Sequence, residues 1–338
     1  MTGLERIAVD DLEAIVTSAF EASNVAPANA RSVACALTQA EVDGRKGHGW
    51  SRVPSYVAQA RSGKVNGHAT PSWEQKARSS AMIDVHHGFA YPAFDLAHEH
   101  LPALARETGI AAAAFTRSHH FGVAAHQVER FASDGLVALA LGNTPKAMAP
   151  WGGTRPVFGT NPIAFAAPRR DAPPVVIDLA LSTVARGNIL KAAQAGKPIP
   201  EGWASDETGA PTTDASAALK GTLAPIGGAK GASLALMVEI LAVTLTGANF
   251  AFEASSFFDG EGAPPSVGQL LIAIDPAAFA SGDIFAGRME TLAAEILGQD
   301  GARLPGSRVI AMRETAKKDG INVDATLLAE VKALAVAG

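Results

Sequence analysis

The spacing of apolar residues divides the chain into a helical first third and a later stretch where strands alternate with helices. Near the start, apolar residues recur at helical intervals behind an acidic pair that we expect to cap the helix, at Leu12, Ile15, Val16, Ala19 and Phe20. Two more helices are predicted, over about residues 28–42 and over the segment that ends near Ser62 and Gly63. The first third is therefore predicted to be mainly helical.

From about residue 80 the pattern changes. The segments AMIDV, FDLAHEHLPALARETG, IAAAAFTRS, AAHQVERFASDG and LVALALGN read as strand, helix, strand, helix and strand. VVIDLALS and GQLLIAIDP add two further strands. The run LALMVEILAVTLTG is too short to cross a bilayer and carries Glu239, so it predicts a buried helix. We expect an α/β (α+β) fold, with a helix-covered sheet over about residues 80–276 and the two helical ends packed together outside it.

Composition narrows the class of protein. The 338 residues are 48% hydrophobic and 18% charged with a net charge of -5, which is typical of a soluble globular protein. Because acidic and basic residues are interspersed, no electrostatic footprint for nucleic acid is present. The single Cys35 excludes an internal disulfide, and its Ala/Val-rich helical surroundings predict a buried structural thiol. The first residues lack the apolar region of a secretory signal, so a cytoplasmic location without membrane association is expected.

The segment from Trp151 to Arg169, WGGTRPVFGTNPIAFAAPR, combines glycine and proline with strand-like apolar residues. Ordinary core strands avoid both residue types, so this segment predicts tight turns and a backbone that approaches another group closely. No G-x-G-x-x-G or G-x-x-x-x-G-K-S/T motif occurs in the chain. A nucleotide would therefore bind without a standard phosphate loop.

His48 and Arg52 form the first candidate site, at the glycine-rich entry to a helix. A spacing of four residues directs both side chains toward one face. Histidine exchanges a proton near neutral pH, and arginine pairs with a carboxylate through two hydrogen bonds. The pair therefore suits a small carboxylic acid whose neighbouring atom gains or loses a proton. The alternative is a helix-entry turn with a solvated arginine.

Two further candidates lie at strand ends. Residues 118–122, Ser-His-His-Phe-Gly, follow an apolar strand, where ligands bind in open α/β sheets. The sequence there is compatible with a ligand-facing loop and with a plain strand end. A metal site is disfavoured, because no carboxylate or cysteine partner lies nearby in the sequence. Asp178 lies in an apolar strand and needs a partner. That partner is either a catalytic imidazole that it orients or the turn that it caps.

Residues 227–233, GGAKGAS, open the long apolar helix, and residues 303–308, RLPGSR, place two cations around a turn. Backbone amides at a helix start together with a lysine can bind an anion. A glycine-rich helix entry without a ligand is the alternative for the first segment, and the second is compatible with phosphate or with no ligand.

Taken in order, these segments resemble the type-2 malate/L-lactate dehydrogenases, nicotinamide oxidoreductases unrelated to the Rossmann dehydrogenases. The resemblance covers GHGWSRVPSY, SHHFG, LGNTPKAMAPWGGTRPVFGTNPIAFAAPR, VIDLALS, GGAKGASLALMVEIL, GQLLIAIDP and RLPGSR. Within this family, three segments look most like the Δ1-piperideine-2-carboxylate/Δ1-pyrroline-2-carboxylate reductases. They are SHHF, which stands in place of the more usual Ser-Asn-His, together with LTGANFAFEASSF and LPGSR.

The resemblance implies reduction of a cyclic imino acid to L-proline or L-pipecolate by NADPH or NADH. It also implies a homodimer with the active site near the subunit interface and a non-Rossmann nicotinamide-binding fold; on the spacing of the histidines, no metal is expected. The expected division is a helical part, residues 1–78, that carries the catalytic histidine and packs with residues 300–338, and a nucleotide-binding domain over residues 79–299.

By position, the resemblance makes His48 the proton donor, Asp178 its orienting partner and Arg52 the carboxylate anchor. His119 and Thr160 would also contact substrate. The implied cofactor-binding residues are His120, Phe121, Gly122, Val123, Ala124, Thr160, Asp178, Leu179, Ala180, Ser182, Lys230, Gly231, Arg303, Leu304, Pro305, Gly306, Ser307 and Arg308. One departure is Gly47, where the family commonly has serine, so no hydroxyl next to His48 can relay a proton.

Three other functions stay open at this point. Within the family, the same histidine could act as the base in oxidation of a 2-hydroxy acid such as malate, lactate or ureidoglycolate. Outside it, His48 and Asp178 could serve a non-redox lyase or hydrolase, or the chain could bind a nucleotide without catalysis.

Overall fold

The computed structural model describes residues 3–336 as a mixed α/β fold. The helices are α1 (Val9–Glu21), α2 (Pro27–Val42), α3 (Val53–Ser62), α4 (Ala90–Thr108), α5 (Ala124–Ser133), α6 (Arg186–Gln194), α7 (Ala215–Lys220), α8 (Ala229–Glu239), α9 (Gly282–Leu297), α10 (Ser307–Asp319) and α11 (Ala325–Val336). The strands are β1 (Leu4–Ile7), β2 (Ser72–Ala77), β3 (Ser80–Asp84), β4 (Ile110–Ser118), β5 (Val137–Gly142), β6 (Ile163–Ala167), β7 (Val175–Leu179), β8 (Ala204–Ser205), β9 (Pro211–Thr212), β10 (Thr222–Leu223), β11 (Val267–Ile274) and β12 (Ile321–Asp324). No helix within these residues is long and apolar enough to cross a membrane.

A seven-stranded mixed sheet in the order β2-β3-β4-β11-β5-β6-β7 forms the centre of the molecule. β3 and β4 are parallel, and every other neighbouring pair in this sheet is antiparallel. β11 comes late in the chain yet lies between β4 and β5, and its continuous apolar run suits a strand that is covered on both faces. The helix-covered sheet predicted from the sequence is confirmed. Its edge strand β2 was not predicted, because SWEQKA is largely exposed and polar.

Helices cover both faces of this sheet. α4 and α5 pack on one face through an aromatic cluster that includes Phe94, Phe115 and Phe121. The Phe94 ring stacks on both others, with centroids 4.4 Å from Phe115 and 5.6 Å from Phe121. Burial of each such side chain contributes roughly 1.5–3 kcal/mol. This packing fixes the loop between β4 and α5, which holds His119 and His120.

The two ends of the chain share a separate core. β1 pairs antiparallel with β12, and α1 packs against α2 and α11 around Leu12, Phe20 and Val331. Trp50, which lies between His48 and Arg52, and Tyr56, which follows them, are fully buried in the same core. The turn that carries His48 is therefore supported by both ends of the chain.

Three local predictions were wrong. Cys35 is exposed, because the buried stripe of α2 faces α1 and leaves Cys35 on the opposite side. The apolar run that forms α8 and the π-helical turn after it, Ile240–Thr244, is only partly buried, because one face meets the sheet while Leu236 and Ile240 are about half exposed. α1 begins at Val9 with Ala8 at the N-cap, so the acidic pair lies in the first turn and does not cap the helix.

Candidate active site

A cavity of about 590 Å³ lies where the turn before α3, the loop before α5 and the ends of β5 to β7 meet. Its volume is within the range of about 300–1,000 Å³ that is typical of small-molecule sites. Its walls combine cationic, apolar and aromatic side chains. The lining residues are Arg45, His48, Arg52, His120, Phe121, Gly122, Val123, Ala124, Thr144, Pro145, Lys146, Ala147, Thr160, Pro162, Asp178, Ala180, Ala185, Arg186, Gly187, Ala254, Ser256, Phe257 and Phe258.

His48 lies on this wall in the turn before a short 3-10 helix, Trp50–Arg52. Its ring stacks on that of His120, with 5.2 Å between the centroids and 18° between the planes. Burial, followed by the nearby charge of Arg52, lowers the pKa of His48 to about 4. Nδ1 of His48 is buried and has no hydrogen-bond partner. His48 is therefore neutral at pH 7 in the free protein and has a nitrogen available for a new interaction.

Arg52 is held with part of its guanidinium unpaired. Its Nε donates a hydrogen bond to the Gly47 carbonyl at 2.7 Å, and its guanidinium carbon lies 4.4 Å from the centre of the Phe258 ring. Nη1 is buried without a partner. A permanently charged group that retains a free donor in an enclosed wall suits a carboxylate ligand.

Asp178 reaches the same cavity from the end of β7, and of the two roles that the sequence left open the structure shows a cap. Its Oδ2 accepts a hydrogen bond from the backbone N–H of Ala125 at 3.1 Å, so it caps α5, whose N-cap residue Val123 provides no side-chain cap. Burial raises the pKa of Asp178 despite this bond. No hydrogen bond within residues 3–336 joins Asp178 to His48, so orientation of the histidine by Asp178 stays a prediction.

The two histidines after β4 face different surroundings. His120 lines the cavity, and its Nδ1 lies 2.5 Å from the hydroxyl of Tyr56. His119 is buried behind this wall, where its Nε2 bonds to Gln59 at 2.9 Å and its ring packs edge-on against Phe257. The structure therefore does not bring His119 to the lining of the cavity.

The glycine- and proline-rich segment supplies one wall. Thr160 lines the cavity, and its backbone N–H donates to Oγ1 of Thr144 at 2.9 Å. A Cβ at Gly159 would lie 2.2 Å from the Thr144 carbonyl, so only glycine fits there. Asn161 has a positive φ of 39° and is held by Glu239, which accepts a bond from its Nδ2 at 3.1 Å. The close backbone approach predicted from the sequence is therefore found within the protein itself.

The turn before His48 is braced by an ion network that the sequence did not reveal. Asp43 accepts hydrogen bonds from Arg313 of α10 at 2.8 and 2.7 Å, and from His126 of α5 at 2.8 Å. Arg313 also pairs with Glu129. Although burial opposes it, hydrogen bonding to Arg313 and His126 lowers the pKa of Asp43 to about 2. The side chains come from three distant segments, and no local motif links them.

Many of the predicted site residues meet at this cavity, and others do not. Those on the lining are His48, Arg52, His120, Phe121, Gly122, Val123, Ala124, Thr160, Asp178 and Ala180. Those that the described structure leaves off the lining are His119, Leu179, Ser182, Lys230, Gly231, Arg303, Leu304, Pro305, Gly306, Ser307 and Arg308. Of the second group, Gly306 borders a smaller adjoining cavity that shares Asp178 with the main one. Ser182 is directed into its own loop, donating to the Val184 carbonyl.

Sequence reasoning missed three cations and an aromatic pair on the lining. Arg45, Lys146 and Arg186 are exposed at the cavity and could balance an anionic ligand. Phe257 and Phe258 come from the loop before β11. The only available signal was that Phe257 ends, and Phe258 directly follows, the segment LTGANFAFEASSF, which supported the family resemblance without a site role.

The lining fits a nicotinamide nucleotide. Apolar side chains such as Phe121 and Val123 suit a flat ring, whereas Lys146 and Arg186 suit phosphate groups. The cavity also includes the start of α6 at Arg186, where backbone amides favour an anion. Within residues 3–336, no group of three histidine, cysteine or acidic side chains is placed to hold a metal ion.

Comparison with known proteins identifies the family. The family model described as malate/L-lactate dehydrogenase matches residues 7–332. The chain belongs to this family. It is 51% identical to (2R)-3-sulfolactate dehydrogenase (NADP(+)) of Chromohalobacter salexigens, over 98% of both chains. It is 41% identical to Δ1-pyrroline-2-carboxylate/Δ1-piperideine-2-carboxylate reductase of Pseudomonas putida, over 97% of this chain and 96% of that protein.

A solved structure also matches along nearly the whole chain. The crystal structure of Δ1-piperideine-2-carboxylate reductase from Pseudomonas syringae superposes with a TM-score of 0.92 at 38% identity, covering 98% of this chain and 99% of that one. The family resemblance drawn from the sequence is confirmed, and the chain is an oxidoreductase of the malate/L-lactate dehydrogenase family.

Proposed function

We propose that this protein reduces a cyclic imino acid, Δ1-pyrroline-2-carboxylate or Δ1-piperideine-2-carboxylate, to L-proline or L-pipecolate with NADPH or NADH. One observation carries the proposal: His48 and Arg52 line one cavity, and each has a buried nitrogen without a hydrogen-bond partner. A cyclic imino acid offers a carboxylate for the arginine and an adjacent nitrogen for the histidine. The reductases of Pseudomonas putida and Pseudomonas syringae support this substrate class.

Arg52 orients the substrate in this mechanism. Its guanidinium pairs with the carboxylate and, because it is held by Gly47 and Phe258, fixes the position of the neighbouring C=N carbon. Such positioning lowers the entropic part of the barrier. When bound, the reduced nicotinamide supplies the hydride that this carbon receives.

His48 supplies the proton to the imine nitrogen. Since Arg52 contributes to the low pKa of His48, a carboxylate paired with Arg52 offsets that charge and raises the pKa of the imidazole. His48 then takes up a proton once substrate is bound and gives it to the ring nitrogen. Asp178, on the same wall, would stabilise the charged imidazole.

Several further features belong to the same proposal. We expect a preference for NADPH, since Lys146, Arg45 and Arg186 favour an additional phosphate. We also expect a homodimer, because Phe258 lines the cavity yet is 61% exposed and α8 has an exposed apolar face. A cytoplasmic location is part of the same proposal. The mainly antiparallel sheet supports a nicotinamide-binding fold outside the Rossmann class. The proposed division is a catalytic helical part (residues 1–78 and 300–338) and a nucleotide-binding part (79–299).

A second candidate is interconversion of a 2-hydroxy acid and its 2-oxo acid, with His48 as the base in oxidation. It is favoured by the 51% identity to (2R)-3-sulfolactate dehydrogenase. The cations of Arg45 and Lys146 could hold a second anionic group, which a cyclic imino acid lacks. The neutral state of His48 in the free protein also suits a base.

The deciding experiment compares substrates under identical conditions. We expect NADPH oxidation with Δ1-pyrroline-2-carboxylate and Δ1-piperideine-2-carboxylate to exceed that with 3-sulfopyruvate, oxaloacetate or pyruvate. Turnover of only the oxo acids would reject the imine reductase and support the second candidate. Binding of neither NADPH nor NADH, measured by nicotinamide fluorescence, would reject both.

The role of His48 is tested with the variant His48→Ala. We expect NADPH to bind nearly as before while kcat falls by roughly 10²–10⁴, the usual value of general acid–base assistance. An unchanged kcat would show that His48 takes no part in the proton transfer.

A further inference from the structure

We infer that His120 is a neutral hydrogen-bond donor to the substrate, held in one tautomer by Tyr56. The sequence had placed His120 among the cofactor residues. The inference rests on the proposed function only to the extent that the cavity accepts a small 2-imino or 2-oxo carboxylate.

The contact between Tyr56 and His120 determines which ring nitrogen carries the hydrogen. The Tyr56 hydroxyl lies 2.5 Å from Nδ1 of His120, and both side chains are buried. Burial raises the pKa of Tyr56, so its phenol keeps its hydrogen. Since a buried hydroxyl needs an acceptor, Tyr56 donates to Nδ1. In the neutral ring, the hydrogen must then be on Nε2.

Ring packing fixes the direction of that Nε2–H group. His120 stacks on His48 and lies against Phe257, with 5.1 Å between the His120 and Phe257 centroids. Tyr56 engages the ring from the Nδ1 side. Nε2 therefore points away from Tyr56, and within the described residues it has no hydrogen-bond partner. The ring is on the same wall as His48 and Arg52.

The charge state of His120 separates its task from that of His48. Burial, followed by the charges of Arg52 and His48, keeps the pKa of His120 well below its ordinary value. A carboxylate on Arg52 raises the pKa of both imidazoles, but only His48 has a free Nδ1. His120 has Nδ1 occupied by Tyr56, so a second proton there would break that bond. His48 exchanges the proton, and His120 holds the substrate.

Binding measurements on matched variants test this role. In His120→Ala we expect the dissociation constant of pyrrole-2-carboxylate, a planar stand-in for the imine, to rise about tenfold to a hundredfold, as for a lost bond to a charged group. The KM of the turned-over substrate should rise in parallel. NADPH should bind within about twofold of wild type, since His120 faces the substrate. His120→Gln, which places an amide N–H near the position of Nε2, should restore part of the affinity.

Tyr56→Phe should weaken pyrrole-2-carboxylate binding by a smaller factor, because the His120 ring stays in place but no hydroxyl fixes its tautomer. Tyr91→Phe is the comparison variant: Tyr91, the other tyrosine, is buried beside Tyr56 and interacts with it but makes no hydrogen bond to His120, so this variant should have a smaller effect than Tyr56→Phe. Nitrogen NMR of the labelled histidines should show hydrogen on Nε2 of His120 in wild type. In Tyr56→Phe, it should show exchange between the two tautomers.

Four results would overturn the inference. Weaker NADPH binding in His120→Ala with unchanged pyrrole-2-carboxylate binding would show that His120 binds the cofactor. Unchanged binding of both ligands would show that His120 contacts neither. Equal effects of Tyr56→Phe and Tyr91→Phe, or hydrogen on Nδ1 in wild type, would remove the positioning role of Tyr56. Because these readouts are binding constants and spectra, failure of the reductase assay alone would leave them interpretable.

Discussion

Oδ2 of Asp178, at the end of β7, accepts a hydrogen bond from the backbone N–H of Ala125 in the first turn of α5. One carboxylate thus caps a helix and faces the candidate active site. Two substitutions should separate these functions. Asparagine caps a helix about as well as aspartate, so Asp178→Asn should retain the thermal stability of wild type. It should nevertheless lose activity, with kcat falling by about 10²-fold or more, because the charge proposed to stabilise protonated His48 is removed.

Asp178→Ala is the comparison for this variant. It should lose the same activity and also about 1 kcal/mol of folding free energy through the missing cap. Wild-type kcat in Asp178→Asn would show that Asp178 acts only as a cap.

A lysine at position 52 should keep the positive charge of Arg52 but lose its geometry. Lysine lacks the two-pronged donor and the planar contact with Phe258. We expect Arg52→Lys to raise the KM of the substrate by about tenfold, or roughly 1.4 kcal/mol, while the NADPH dissociation constant stays constant. Phe258→Leu is the control for the ring contact alone and should change KM by only a few-fold. An unchanged KM in Arg52→Lys would argue against a carboxylate on this residue.

The buried imidazoles should make stability fall on mild acidification. The pKa of His48 is about 4 and that of His119 about 3, against 6.5 when unfolded, and that of His120 is also well below 6.5. The unfolded chain therefore binds more protons below pH 6.5, so the stabilising contribution is present above that pH and is lost as pH falls toward the folded values. Each histidine contributes up to about 1.4 kcal/mol per pH unit.

Urea unfolding between about pH 6.5 and pH 4.5 measures this slope. The low pKa of Asp43, about 2 against 3.8, affects stability only below this window. His119→Gln removes one of the titrating groups and should reduce the slope by up to about 1.4 kcal/mol per pH unit. A slope unchanged by this variant would contradict the buried, neutral state of His119.

Substitutions at Gly47 test whether a serine hydroxyl, which the family resemblance leads us to expect at this position, contributes to catalysis. A Cβ at this exposed position would meet no atom within 4 Å, so a side chain fits. We expect Gly47→Ser to change folding stability by no more than about 0.5 kcal/mol and to raise kcat, because it adds a hydroxyl next to His48. Gly47→Ala controls for the backbone effect of removing glycine. Equal kcat in the two variants would show that the hydroxyl has no part in proton transfer.

The sequence pattern predicted the sheet, most of the helices and the meeting of His48 and Arg52 on one face. These features follow from local patterns, namely apolar spacing, glycine-rich turns and polar residues at strand ends. Family resemblance predicted that Asp178, His120 and Thr160 lie at the same site, and all three line the cavity with His48 and Arg52.

The rest depends on packing between distant segments. The pairing of Asp43 with Arg313 joins residues that no periodicity relates. Cys35 was predicted as buried because its neighbours in sequence are apolar, although the helix turns it outward. His119 and His120 are adjacent in the chain, but only the tertiary structure shows which one reaches the cavity.

The pairing of β1 with β12 has a consequence for synthesis of the protein. The first helices leave the ribosome early, yet the strand and helix that cover them emerge only near the end, roughly 15–60 seconds later at ordinary elongation rates. Throughout that interval, apolar side chains such as Phe20 lack part of their cover. Arg313 also reaches the turn before His48 only then. A prematurely terminated product could contain every catalytic residue and still be inactive, and its uncovered first helices would be a target for chaperones.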